Sequence, residues 1–183
     1  MRSTALLGVL LGAVLCAQPA PARASLDEAL QGQSVVGQAR LRVWGFSVYD
    51  ATLYATPGFT PQRFDDHPFA LQLAYLRDFA GSDIAERSLQ EINDQGAVDE
   101  ATAQRWLQAM RSVFPDVKAG DRITGLYRPG EGARFYLNDK PLGAIDDARF
   151  ARRFFAIWLS PRTSQPAMRE RLLQALNQGQ GKP

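Results

Sequence analysis

Sulfur and imidazole are scarce in this chain: its 183 residues hold one cysteine, Cys16, and one histidine, His67. A single cysteine excludes an internal disulfide. A lone histidine between Asp66 and Pro68 cannot assemble the converging ligands of a metal centre. Nor does it have the nucleophile and orienting partner that a general base needs. No glycine-rich phosphate loop, histidine pair or nucleophile elbow occurs, so no cofactor, metal or catalytic residue is expected. Long apolar runs are also missing. The run from Ala5 to Ala17 falls short of the roughly 20 residues that a membrane-spanning helix needs.

That run has another reading. MRSTALLGVLLGAVLCAQPAPARA places Arg2 before it and the small-x-small ending Ala22-Arg23-Ala24 after it, the layout of a secretory signal peptide cut before Ser25. Pro19 and Pro21 break the run, and the bulk of Leu15 argues against lipid attachment at Cys16. Removal of residues 1–24 takes away the only cysteine and two of the 21 basic residues, Arg2 and Arg23, leaving 19 basic against 19 acidic. A neutral chain offers no footprint for nucleic acid, and no later stretch is apolar enough to cross a bilayer. The expectation is a periplasmic or secreted protein with one domain over residues 25–177 and a frayed tail at 178–183.

From Val35 to Ala55 the chain is rich in β-branched and aromatic residues, as strands are. A tight turn at Trp44-Gly45 would pair Val43 with Phe46, Arg42 with Ser47, Leu41 with Val48 and Arg40 with Tyr49, giving one apolar and one polar face. Residues 56–68 carry three prolines and two aspartates and are predicted as a loop, and Phe69 to Tyr75 as a strand. Ser82 is expected to cap a helix to about Asp94, and Asp99 to open a second with the stripe Trp106, Leu107, Met110, Val113 and Phe114 before Pro115. Short strands then flank the turn residues Pro129 to Gly132, a second turn falls at Asn138-Asp139, and Asp146 or Asp147 caps a helix carrying Phe150, Phe154 and Trp158. A last amphipathic helix spans about Gln165 to Leu176. Strands, helix pair, strands and helix pair predict an α+β fold, helices layered on an antiparallel sheet.

Candidate binding residues come from the first hairpin. Arg40, Arg42 and Tyr49 share its polar face. If that face meets the helices, a guanidinium there needs an anion, because an unpaired buried charge is costly. A carboxylate satisfies it in a forked geometry, and a phenol opposite adds a third hydrogen bond. The other reading of Arg40 and Arg42 is an exposed face paired with surface acids. Asp65-Asp66 and Asp146-Asp147 are predicted as loop and cap, Arg149, Arg152 and Arg153 as a solvated helix face, and the aromatic stripe as core or cavity wall.

Two segments, VGQARLRVWGFSVYDATLY and FYLNDKPLGAIDDARFARRFFAIWLSPRT, resemble the chalcone isomerase-like family in its exported bacterial branch, with the likeness running from about Gly37 to Leu176. The resemblance implies an open-faced β-sandwich, a large antiparallel sheet covered by a layer of helices, with a ligand cleft between. The family contains isomerases that close chalcones to flavanones and non-catalytic fatty-acid binders. Arg40 or Arg42 matches the isomerase arginine on the first strand of the hairpin, and Tyr49 falls where fatty-acid binders carry tyrosine. The isomerases place tyrosine, lysine and asparagine at fixed steps after a glycine; from Gly81 those steps land on Ile84, Arg87 and Glu91. A late hydroxyl falls near Ala156 or Ile157, where there is none. The resemblance thus points to an exported, non-catalytic protein for a small apolar carboxylate such as a fatty acid, its head group on Arg40 or Arg42 and Tyr49. The alternatives are a chalcone-type isomerase and a module that docks another envelope protein through Arg149, Arg152 and Arg153.

Overall fold

A computed structural model of the chain describes residues 25–179, with side chains to residue 176. The expected signal peptide, residues 1–24, lies outside the described residues, as do positions 180–183 of the expected tail. Six strands form one antiparallel sheet in the order of the chain: β1 (Ser34–Val43), β2 (Phe46–Ala55), β3 (Phe69–Tyr75), β4 (Arg122–Arg128), β5 (Gly132–Leu137) and β6 (Lys140–Ile145). Helices α2 (Gly81–Asp94) and α3 (Glu100–Val113) enter between β3 and β4, and α4 (Ala148–Leu159), α5 (Pro166–Leu172) and α6 (Gln174–Gly179) follow β6. This is the α+β layering that the sequence predicts.

Alternation along the strands decides which side the helices cover. Leu53, Phe69, Leu71, Ile123 and Phe135 point to one face and are buried beneath α2, α4 and α5. The opposite face carries polar ladders, with Gln38 donating to Thr52 at 3.3 Å and Gln72 donating to Thr124 at 3.1 Å. One small apolar patch on that side, Ala70, Leu126 and Tyr136, is covered by α1 (Leu26–Ala29). This one-turn helix was not predicted; Ser25 and Glu28 close it with a reciprocal capping box. At the sheet edge α5 lies so close to β1 that a Cβ at Gly37 would meet the Arg171 and Leu172 carbonyl oxygens at 2.4 and 2.5 Å.

Several expectations need correction. The segment 56–68 contains a 3-10 stretch, Pro61–Asp66. Ser82 does not cap α2. The cap residue is Ala80, and the Gly81 N–H is satisfied at 2.8 Å by Asp116, a carboxylate 35 positions away. The predicted last helix is broken at Leu173, whose backbone leaves the helical region between α5 and α6. Asp99 and Asp147 do cap α3 and α4, accepting from the Thr102 and Phe150 N–H groups at 2.9 Å.

Candidate binding cavity

The first hairpin turns at Trp44 and Gly45, both with positive φ (49° and 84°), as a two-residue turn with matching twist requires. Val43 pairs with Phe46 and Arg42 with Ser47, as expected from the turn. The register then slips: Leu41 pairs with Tyr49 and Arg40 with Asp50, leaving Val48 as an extra residue on β2. This bulge moves Tyr49 from the polar to the apolar side. Arg40 stays on the uncovered face, where its Nε donates to Asp50 at 2.6 Å and Nη2 at 2.8 Å. Asp50 is held below the usual carboxylate range, first by that side-chain hydrogen bond. Arg42 is exposed on the same face. The expected trio therefore does not converge: Tyr49 faces the helices, while Arg40 and Arg42 do not.

Between the apolar face and the helices lies a cavity of about 740 Å³. Tyr49, Leu71, Leu73, Tyr75 and Ile123 form its floor, α4 supplies Phe154, Phe155 and Trp158, and α2 supplies Ile84, Arg87, Ser88 and Glu91. The α2 residues recur at steps of three and four, so one helical face turns inward. Phe154 and Trp158 of the predicted aromatic stripe are wall residues, whereas Phe150 is fully buried against Trp106. Val43, Trp44, Phe46 and Arg77 form the rim.

Two phenols lie side by side on the floor. Tyr49 and Tyr75 are paired across β2 and β3, their rings edge to face with centroids 6.1 Å apart. The Tyr49 oxygen accepts from the Trp158 indole N–H at 2.9 Å, so its own proton remains to be donated. Burial pushes this phenol up to about 12, with the Trp158 hydrogen bond opposing, Glu91 adding to the rise and Arg87 reducing it. Burial also raises Tyr75, with Tyr49 adding to it. Its hydroxyl has no hydrogen-bond partner among the described residues. Both groups are hydrogen-bond donors across the physiological pH range.

Apart from Arg77 at the rim, the charged residues lining this cavity, Asp83, Arg87 and Glu91, come from α2, the helix on which the isomerase positions fall. Arg87 Nη2 donates to Glu91, and Ser164 donates to the other oxygen of Glu91 at 2.8 Å. Arg87 Nη1 also donates to Gln90 at 3.3 Å, and the Arg87 side chain is 61% exposed while that of Glu91 is only 9%, so the guanidinium is open to solvent and the carboxylate is enclosed. Both line the same cavity as Tyr49 and both act electrostatically on its phenol. The guanidinium that α2 brings to the cavity is that of Arg87, not of Arg40 or Arg42. In the sequence it shows only as a failed match to the isomerase lysine, and Tyr75 only as the end of a strand.

The remaining candidates are structural. His67 follows the 3-10 stretch and its ring leans toward Phe59, and no cluster of three potential metal ligands occurs among the described residues. Asp147 caps α4 and also accepts from the Trp106 indole at 2.8 Å. The expected solvated arginine face is largely engaged within the chain. Arg149 lies over Trp106, Arg152 pairs with Asp65 at 3.1 Å, and Arg153 donates to the Ile92 and Gly96 carbonyls.

Comparison with known proteins agrees with this fold. An Arabidopsis thaliana fatty-acid binding protein of known crystal structure superposes with a TM-score of 0.61 at 12% identity, over 78% of this chain and 87% of that one. An uncharacterized protein of Haemophilus influenzae is 31% identical over 131 residues, which is 71% of this chain and 63% of that relative. A chalcone isomerase-like family model matches residues 30–174. With that match spanning most of its length, the chain belongs to the chalcone isomerase-like family.

Proposed function

We propose that this protein is an exported, non-catalytic binding protein that holds a small apolar carboxylate, such as a fatty acid, between its sheet and helices. The observation that carries this reading is the cavity. Its volume of about 740 Å³ lies within the roughly 300–1,000 Å³ usual for ligand sites, and most of its lining is aromatic or aliphatic. The Tyr49 phenol, which accepts from Trp158 and keeps its own proton, and the Arg87 guanidinium both line the cavity, a pair of donor types that suits a carboxylate head group. Leu71, Leu73 and Phe155 suit an alkyl or aryl tail. The plant protein of the same fold is a fatty-acid binding protein, in keeping with this reading.

A non-catalytic role is favoured by the chemistry of α2. An isomerase-type site needs preorganised donors around the developing anion, and loss of a single donor can cost about 100-fold or more in rate. Here Ile84 offers no donor, and the only buried charge on this face, Glu91, is negative. The signal-like layout of residues 1–24 supports export. Native mass spectrometry of protein purified from its own compartment tests the binding reading. A co-purifying small acid is expected; repeated isolation of empty protein, together with no fatty-acid binding by calorimetry, would overturn it.

A further inference from the structure

The tip of the first hairpin is built against the usual economy of a surface. Trp44 is 94% exposed, Phe46 63%, Val43 41% and the neighbouring Leu76 37%. Contiguous exposed apolar groups mark an interaction site more often than chance. Trp44 also occupies a left-handed backbone position, φ 49°, where asparagine, aspartate or glycine is favoured. A bulky residue there costs backbone energy and gains nothing within the chain, since its ring is in solvent.

Two observations indicate what covers this tip. The first is charge. Arg42 flanks the turn and Arg77 lies over the Phe46 ring at 5.5 Å, and neither makes a salt bridge with a described residue. The acids beside them are taken: Asp50 by Arg40 and Asp78 by Lys118, leaving Asp83 on α2 as the rim's own acid. An exposed aromatic tip flanked by two arginines suits the headgroup layer of an anionic bilayer, where tryptophan is favoured and basic residues are attracted. The second is continuity. Val43, Trp44, Phe46 and Arg77 are also the rim of the cavity, so whatever seats on the tip sits at the mouth.

We propose that the β1–β2 tip docks the protein on an anionic lipid surface with the mouth of the cavity facing the bilayer. An apolar acid then exchanges between lipid and cleft without crossing water. The exchange rests on the binding reading given above; the docking does not.

The test is sedimentation with vesicles of phosphatidylcholine alone and of phosphatidylcholine mixed with phosphatidylglycerol, neither carrying free acid. Binding is expected to the anionic vesicles, with Trp44 fluorescence quenched by brominated phospholipid. Trp44→Asn combined with Phe46→Ser should lower vesicle binding by about tenfold or more, since partition scales with the apolar area inserted. Asparagine suits the turn, so the thermal midpoint should hold and misfolding is not an escape. Arg42→Gln with Arg77→Gln should abolish the preference for phosphatidylglycerol. The proposal is overturned if the wild type binds neither vesicle, if the Trp44 and Phe46 variant binds as well as the wild type, or if light scattering shows a dimer whose interface protects Trp44 from quenching. Vesicle binding without any fatty-acid binding would uphold the docking and sink only the cargo.

Discussion

Replacing Glu91 with glutamine should tighten acid binding, although it removes a buried partner of the proposed head-group residue. On the proposed binding reading an incoming carboxylate would share Arg87 with Glu91, whose side chain is only 9% exposed. Two unit negative charges about 6 Å apart repel by roughly 3 kcal/mol at an effective dielectric of about 20. The exposure of Arg87 screens part of this, so about 1–2 kcal/mol remains, a roughly five- to thirtyfold gain in affinity for Glu91→Gln. Glutamine keeps an oxygen for the Ser164 hydroxyl, so the loop at 163–165 stays in place. Arg87→Gln has the opposite sign. It removes the guanidinium and leaves Glu91 facing the ligand, at a cost of about 1.5–3 kcal/mol for a lost charged hydrogen bond. Isothermal titration calorimetry with a long-chain fatty acid reads both, and urea unfolding confirms that each variant is folded. If Glu91→Gln leaves affinity unchanged or both variants weaken it alike, the carboxylate does not sit at Arg87.

Three further outcomes follow from the same contacts. Because burial lifts the Tyr49 phenol to about 12, fatty-acid affinity should show no phenol titration up to about pH 10, and a loss centred there would place Tyr49 in water. For Asp147, burial pushes the carboxyl up, but hydrogen bonds from the Phe150 N–H and the Trp106 indole outweigh it, so it ionises below its ordinary value. Its stabilisation is therefore complete above about pH 4 and lost as pH falls through the lower native value; Asp147→Asn should flatten the acid limb of a urea-midpoint profile and lower the plateau by about 1–2 kcal/mol. Gly37→Ala drives a Cβ into backbone carbonyls of α5 and should cost about 1–3 kcal/mol in urea unfolding, whereas no loss would mean that α5 yields freely.

Much of the fold is legible in the chain because its boundaries are chemical. Pro68 precedes β3, Asp99 opens α3, Pro115 follows its end, and Asp147 opens α4, each residue acting on its own neighbours. What escapes reading is non-local or too short to repeat. The Gly81 N–H takes its cap from Asp116, which no window around Ser82 contains. The four residues of α1 give no period. The break at Leu173 interrupts an unbroken apolar stripe, so the pattern of Met168, Leu172, Leu173 and Leu176 reads as one helix.

The three candidate residues do not share the face that the count from the turn predicts, and one residue of register accounts for the difference. Counting outward from Trp44-Gly45 gives Arg42 opposite Ser47 and, two steps on, Arg40 opposite Tyr49; only the first of these pairs exists. Counting inward along the polar ladder gives Gln38 with Thr52 and Arg40 with Asp50, each a match of hydrogen-bonding partners. The two counts disagree by one position, and only an extra residue between them reconciles both, because a slip of one turns every side chain to the other face. The sequence therefore held the signal for the bulge in the complementarity of Arg40 and Asp50. Taking that ion pair as the anchor frees Tyr49 for the cavity and removes Arg40 from it. The arginines left to the cavity are then Arg77 at its rim and Arg87, which stands one turn from Glu91 and Ile84 on the inward face of α2.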